Sequence, residues 1–466
     1  MTELLTHAIS LINDCFLGYV LMAALIFAGL YFTIATRFVQ FVRPKEMLKL
    51  MISGGEETRG TGHISPFQAF AISTAARVGT GNIAGVAIAI TVGGPGAIFW
   101  MWLIAVIGSA SAFAESTLAQ IHKVKTGTHF RGGPAYYMKN ALHSPKLGLA
   151  FSVIITLTFA FVFNSVQSNT IAQSLNATFH LDTSICGIVL AALTAIIIFG
   201  GLKRIARFSA IIVPVFAGAY IILTLVVMIL NLDKLPHVFG LIFSDAFSWH
   251  NVAGGTLGAT IMTGARRGLF SNEAGMGSAP NAAATAHTSH PVKQGYVQAF
   301  SVFIDTLVIC SCTAFIVLLS NYQQFPGLEG IALTQKALTF QLGTFGNYFL
   351  SASVLLFAFT SIIGNYYYGQ ANVEFITRKK SVMLVFRTGV TLMVLSGAVL
   401  QLKLVWNLAD LFMAAMALMN IYAILRLRTQ VIDALADYRK QKEKGLDPHF
   451  HPEEIPSIGR SEAWEK

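Results

Sequence analysis

The chain has 466 residues, of which 54% are hydrophobic and only 12% charged, where a soluble globule carries about a quarter charged. Apolar runs of about 20 residues recur, the length a bilayer demands of a helix; they are continuous rather than alternating, which excludes a membrane β-barrel as well as a water-soluble fold. The formal net charge of +10 sits mostly in the loops between runs, where it sets orientation and carries no nucleic-acid signal.

Taken in order, the runs predict eleven spans. The first, 16–36, has no basic region before it and reads as a span, not a cleaved leader. The second, 67–91, is interrupted around Arg77–Asn82. Spans 95–121, 149–175, 184–201 and 207–231 follow. The seventh, 252–288, is too long to cross once and holds Arg266, Arg267 and Glu273, so it must be broken. The last four are 294–320, 347–376, 382–402 and 405–427. Beyond Thr429 the chain is charged, with Pro448, Pro452 and Pro456, and is expected to form a short helix to Lys444 and then disorder.

Lys and Arg alternate across these spans. One side holds clusters such as Arg37–Lys49, Lys123–Lys146, Lys203–Arg207 and Arg378–Lys380; the other holds Lys234, Lys336 and Lys403. The positive-inside rule therefore expects the N-terminus outside, extracellular or periplasmic, and the C-terminus in the cytoplasm of a cell (inner) membrane protein. The four cysteines, Cys15, Cys186, Cys310 and Cys312, lie in or beside apolar runs at no metal or redox spacing and read as small hydrophobes. His287 and His290 lack further ligands nearby, and no phosphate loop, nucleophile elbow or metalloprotease motif occurs, so no enzyme is expected.

An internal repeat stands out. Ala76-Arg77-Val78-Gly79-Thr80-Gly81-Asn82-Ile83-Ala84-Gly85 and Ala265-Arg266-Arg267-Gly268-Leu269-Phe270-Ser271-Asn272-Glu273-Ala274-Gly275 share Ala-Arg-x-Gly followed by Asn-x-Ala-Gly. Both lie in mid-span. Spans two to six and seven to eleven make two sets of five, an odd number of crossings apart, so the second set is inverted. Paired interrupted helices in inverted halves point to a transporter site at the bilayer midplane. A break frees backbone groups that a ligand can satisfy. The amides of Gly79–Asn82 suit a carboxylate, and the carbonyls of Ala75–Val78 suit a cation or an ammonium. In the seventh span Ser278 is a candidate cap for the second arm, with Pro280 in its first turn.

Ionisable residues at depth are Arg77, Glu115, Arg266, Arg267, Glu273, Asp305 and Asp410. They serve either as internal braces and gates or in ligand and proton work; Arg77, Arg266, Glu273 and Asp305 are taken as structural or gating charges. Asn164, Gln167 and Ser168 in span four and Thr360, Ser361 and Asn365 in span nine are polar clusters, the latter on one face, suited to a hard cation and a polar ligand. Phe270, Phe357, Phe359 and Tyr366 are candidate pocket caps, and the small residues of both breaks favour a small zwitterion.

Long motifs in the chain resemble the signatures of the alanine/glycine:cation symporters. They are Ser73–Ala87 around the first break, Gly93-Gly94-Pro95-Gly96-Ala97-Ile98-Phe99-Trp100-Met101-Trp102, Arg131-Gly132-Gly133-Pro134-Ala135-Tyr136-Tyr137-Met138, and Gly264–Gly275. The resemblance covers about residues 10 to 430. It implies an all-α membrane protein of eleven helices, one extra N-terminal helix plus a LeuT-type 5+5 inverted repeat with two discontinuous helices. The parts would be 1–64 (first helix and loop), 65–231 and 232–428 (the repeats), and 429–466 (tail). It implies sodium-coupled symport of alanine or glycine by alternating access, sodium being co-substrate and no cofactor being used; the protein is expected to work as a monomer in the bilayer. Carried over residue by residue, sodium falls to the carbonyls of Ala75, Val78 and Phe357 and the hydroxyls of Thr360 and Ser361. Substrate falls to Gly79, Thr80, Gly81, Asn82, Gln167, Phe270 and Asn365. The alternatives are proton coupling, a preference for glutamine, an ion channel or a membrane enzyme.

Overall fold

The computed structural model describes residues 18–53, 63–127, 129–199, 202–248, 256–459 and 461–464; Cys15 and Arg59 lie outside them. Within these residues the chain is almost wholly helical. Eight helices are long and apolar enough to cross a bilayer, nine if one bent pair counts as a single span.

Helix α1, Gly18–Ala35, crosses first, and α2, Pro44–Ser53, comes next. Span two is the bent pair α3, Pro66–Arg77, and α4, Gly81–Gly93, set at 51°. Ser65 starts α3 through a reciprocal capping box with Gln68, and Pro66 occupies the first turn, where its missing N–H is not needed. Helix α5, Gly96–Ile121, leads to a hairpin of β1, Val124–Thr126, and β2, His129–Arg131, and to α6, Pro134–Asn140. Helices α7, Pro145–Phe179, and α9, Leu202–Leu230, follow, with the shorter apolar α8, Thr183–Ile198, between them.

A short helix not expected from the hydropathy pattern, α10, Leu235–Ala246, intervenes before the second set. The seventh span is broken as expected, into α11, Thr256–Asn272, and a brief α12, Ala279–Ala283. Helix α13, Pro291–Leu319, is next. Helix α14, Gly330–Ile376, begins well before the expected 347, because its first arm turns at Gly343, whose φ of +63° suits glycine. Helices α15, Lys380–Gly397, and α16, Leu402–Arg426, end the membrane part.

The broken helices lie at the centre. Phe70–Arg77 and Gly81–Ala87 are buried throughout, as are Ala265 and Arg267–Ala286. Helix α5 packs against α13, where Phe113 meets Tyr296 with ring centroids 5.3 Å apart, and against α11 at Gly264 and Gly268, whose missing side chains let the backbones approach. Helices α7 and α14 run antiparallel: Ser152 bonds Asn372 at 3.2 Å near one end and Ser174 bonds Ser351 at 3.3 Å near the other.

The tail departs from expectation. Helix α17, Arg428–Glu443, is as predicted, but the segment beyond it is not disordered: Phe450, Ile455, Ile458 and Ala463 are buried against the rest of the chain. Its few apolar residues are spaced to reach a surface already made by other elements, which a reading of local composition cannot register.

Candidate functional site

The first break is made by three residues. Helix α3 ends at Arg77, Val78 takes an extended ψ of 92°, and α4 starts at Gly81. The carbonyls this frees meet the middle of α14. Ser361 Oγ lies 2.9 Å from the Ala75 carbonyl, 3.3 Å from that of Val78 and 3.1 Å from that of Phe357, while Thr360 Oγ1 donates to Phe357 O at 2.8 Å. All five residues named for the cation are thus neighbours. The cluster holds three carbonyls and two hydroxyls, and only the hydroxyls carry protons. The Phe357 carbonyl also has its helical N–H, but those of Ala75 and Val78 stand at the break, where Gly79 N turns to Asn82 and the one Ser361 proton faces both. Such a set of carbonyl and hydroxyl oxygens has the donor chemistry that suits a hard cation. Gly79 makes the approach possible, because a β-carbon there would collide with Ser361 Oγ and stand 2.9 Å from Gln167 Oε1.

The freed amides are not vacant. Gly79 N donates to Asn82 Oδ1 at 2.9 Å, and Thr80 N and Thr80 Oγ1 donate to Gln167 Oε1 at 3.0 and 2.6 Å. The expectation of open amides is corrected: side-chain amides of the chain cap them, because an unpaired N–H in a dry interior costs too much. A carboxylate docking there must displace Gln167. Beyond this cap stand groups that lack protein partners. Both carboxamide atoms of Asn365 and the carbonyl of Asn164 are buried without a hydrogen bond. A β-carbon on Gly369 would lie 2.6 Å from Ala160; Asn365 and Asn164 each lie one turn along from that crossing in the same direction, so they share a level of the site.

An aromatic wall closes the other side. Phe270 of α11 lies against Phe163 at 4.5 Å and Trp406 at 4.7 Å between centroids, and its ring abuts the backbone at Gly81. The Arg267 guanidinium sits 4.7 Å over the Trp406 ring and pairs with both carboxylate oxygens of Asp410. The gate-like pair therefore uses Arg267 and not Arg266, which is half-buried beside it. Of the other aromatic caps proposed, Phe357 packs on Tyr220 and Tyr366 stacks on Phe386 and accepts from Arg387, so neither adds to this wall.

At the second break Glu273, Gly275 and Gly277 all take positive φ, of 57°, 82° and 86°; the two glycines carry the strain without a side-chain penalty. The loop is held by a carboxylate from α5. Glu115 accepts from Gly275 N at 3.3 Å, Gly277 N at 3.0 Å and Asn420 Nδ2 at 2.7 Å. Ser278 does not cap α12 with its side chain as expected; its hydroxyl donates instead to Glu273 Oε2 at 2.5 Å. Asp305 joins both breaks, accepting from Asn82 of the first and Ser271 of the second, each at 2.8 Å, and from Thr306 at 3.0 Å. Arg77 donates to Ser301.

Sequence reasoning placed the backbone breaks and the polar faces. It flagged Glu115 and Asp410 as charges at depth without giving them roles, and it missed Trp406, Phe163 and Asn420. It also read Cys310 as bulk, whereas the thiol lies 3.3 Å from Asn82 Nδ2 and 3.1 Å from Ser271 Oγ, inside the polar node. No local spacing marks these residues, since each comes from a helix distant in sequence.

Comparison with known proteins bears on what this arrangement does. A model of the sodium:alanine symporter family matches residues 2–452. A Bacillus subtilis protein named as a probable sodium/glutamine symporter, GlnT, is 51% identical over 464 residues, covering 100% of this chain and 97% of its own. The amino-acid carrier protein AlsT of the same organism is 49% identical, covering 98% of this chain and 97% of its own. Among solved structures, MhsT in complex with L-phenylalanine superposes with a TM-score of 0.57 at 16% identity, covering 80% of this chain and 92% of that one; this likeness is one of fold.

Proposed function

The chain belongs to the sodium:alanine symporter family, and from that premise we propose that it carries a small neutral amino acid, alanine or glycine, together with sodium into the cytoplasm by alternating access. It is a multi-pass membrane transporter, not an enzyme, with sodium as co-substrate. The observation that carries the site assignment is the cluster of five oxygens between α3 and α14, from Ala75, Val78, Phe357, Thr360 and Ser361.

Sodium there neutralises the carbonyls at the end of α3 and fixes the first break against α14. The amino acid docks beside it. Its carboxylate takes the amides of Gly79 and Thr80 as Gln167 and Asn82 give way, and its ammonium meets Asn365. Gly81 and Phe270 bound the space left for the side chain. Glu115 keeps the second break in shape, so the substrate carboxylate has no competing set of amides there. Asp305 transmits the state of one break to the other through Asn82 and Ser271, with Arg77 and Glu273 completing the buried charge set and Arg266 lying beside the Arg267–Asp410 pair. The basic loops put the N-terminus outside and the tail in the cytoplasm. Residues 65–231 and 232–428 act as the inverted halves, flanked by 1–64 and the tail 429–466, in a monomer. The membrane potential adds about 2.3 kcal/mol per sodium charge per 100 mV to the driving force.

A second reading, glutamine as preferred substrate, is favoured by the partnerless carboxamide of Asn365 and side-chain carbonyl of Asn164 and by the name of the 51% identical relative. The test is uptake of labelled L-alanine, glycine and L-glutamine into proteoliposomes under an inward sodium gradient, with choline replacing sodium in parallel. Sodium-dependent accumulation of alanine competed by glycine supports the first reading; glutamine outcompeting both selects the second. Uptake that ignores sodium and follows a pH gradient would sink the sodium assignment.

A further inference from the structure

The tail makes contacts that a mere extension of the last span would not need. One face of α17 buries Val431, Ala434, Leu435 and Tyr438. Tyr438 donates to Glu46 Oε1 at 2.7 Å, and Arg439 donates to the Thr36 carbonyl at 2.7 Å. These bonds anchor α17 to the segment after α1. The chain then reverses at Gly445, with φ of +74°, and runs back across the face from which α3 and α13 start.

There it grips one short stretch, residues 286–293, between α12 and α13. Lys293 pairs with Asp447 at 2.8 Å; Phe450 N donates to Ser289 O at 2.9 Å; Ser289 Oγ donates to Pro448 O at 2.7 Å; α17 adds its own contact, His290 to Asp437 at 3.2 Å. Further along, Trp464 Nε1 donates to Gln120 O at 2.9 Å and Ser461 bonds the Ile121 carbonyl, both at the end of α5. The Trp464 ring covers the Lys123 ammonium at 4.4 Å while Phe130 covers it at 4.2 Å from another side. That ammonium also donates to Ala286 O at 3.1 Å.

The stretch so held is connected to both breaks. It continues directly from α12, the inner arm of the second. It also pairs backbone to backbone with the segment leading into α3, the inner arm of the first: His287 N donates to Ile64 O at 2.9 Å. One set of contacts thus secures the ends of both inner arms and the end of α5, and is tied in turn to α16 through α17. Any motion that parts these arms from their neighbours must break it.

We propose that residues 445–459 and 461–464 form a latch that holds the cytoplasmic gate shut and sets the rate at which it opens. The proposal rests on the orientation and alternating access inferred above, and its test has a readout that does not depend on transport. Asp447→Asn removes the pair to Lys293, and Trp464→Ala removes the indole from Lys123 and Gln120; neither residue belongs to the binding site. Hydrogen exchange of residues 63–66 and 284–293 is measured in the full-length protein, for each single variant and for the double. The latch predicts amide exchange in both segments about tenfold faster in the double variant, as loss of a charge pair, an aromatic–cation contact and an indole bond allows. It predicts smaller gains in the singles, with an unchanged sodium requirement for any uptake observed. Fast exchange confined to 445–459 and 461–464, with 63–66 and 284–293 unchanged, overturns the proposal. So does a general rise in exchange across α7 and α14, which would mark the tail as a support for the whole fold. Failure of sodium-dependent uptake with the exchange result intact would count against the transport reading and not against the latch.

Discussion

At the scale of single residues the cation cluster has the least freedom. Ser361 lies within hydrogen-bond distance of three carbonyls, so Ser361→Ala removes a ligand without adding bulk. The expected outcome is a half-saturating sodium concentration raised about tenfold, the effect of losing one contact of roughly 1.4 kcal/mol, with alanine affinity at saturating sodium changed much less. Sodium titration of uptake at fixed alanine measures it, and an unaltered sodium curve would remove Ser361 from the site. Gly79→Ala is harsher, because the added methyl collides with Ser361 Oγ; transport should be lost while the protein still inserts and purifies. The residue types were legible in the sequence here, since breaks, hydroxyls and amides in apolar runs are conspicuous. The capping of Thr80 by Gln167 was not, because a hydrogen bond across 87 residues of chain leaves no trace in local pattern.

At the scale of elements, two loops depend on partners from elsewhere. The second break is shaped by Glu115, whose carboxylate accepts three donors. Glu115→Gln keeps the size but turns an amide toward N–H groups it cannot all accept. A loss of about 2 kcal/mol or more is expected, as for a buried charged acceptor left unmatched, read as a lower thermal midpoint in detergent. An unchanged midpoint would show that the loop holds itself. The tail carries a pH dependence. His290 is held below its ordinary 6.5, chiefly by burial, with Lys293 and His449 adding to the effect and Asp437 opposing it; the rings of Tyr438 and Phe450 pack around it. Its Nδ1 accepts from Val292 N, so Nε2 carries the proton that Asp437 receives. An undocked ring takes up a second proton near 6.5 and the docked ring only at lower pH. The undocked form therefore binds more protons in that window, and docking weakens as pH falls below about 6.5. Asp437 is opposed by burial but held below its ordinary 3.8 by bonds from His290 and Gln441, so it weakens docking only in stronger acid. Weaker protection of 445–459 and 461–464 at about pH 5.5 than at about pH 7.5 is expected, read as exchange relative to the intrinsic rate of the unfolded chain at each pH, and His290→Gln should flatten the difference.

At the scale of the molecule, the Arg267–Asp410 pair joins α11 to α16 across the wall formed by Phe270 and Trp406. Breaking it with Asp410→Asn strands a buried guanidinium, so slower turnover and poorer retention of bound amino acid are expected; exchanging the two residues, which re-forms the pair, should restore part of the activity. Substrate-release kinetics in proteoliposomes measure both. The membrane class and the two broken helices were determined by the sequence alone, because hydrophobic length and helix-breaking glycines are local and additive along the chain. The polar faces of spans four and nine were equally plain. The tertiary structure alone decided which charges pair, that Glu115 serves the second break, that Cys310 lies beside Asn82, and that the tail is folded against the basic face. Each of those depends on groups brought together from distant turns of chain, where burial makes the match of donor to acceptor the deciding energy, and that match is a property of space and not of spacing.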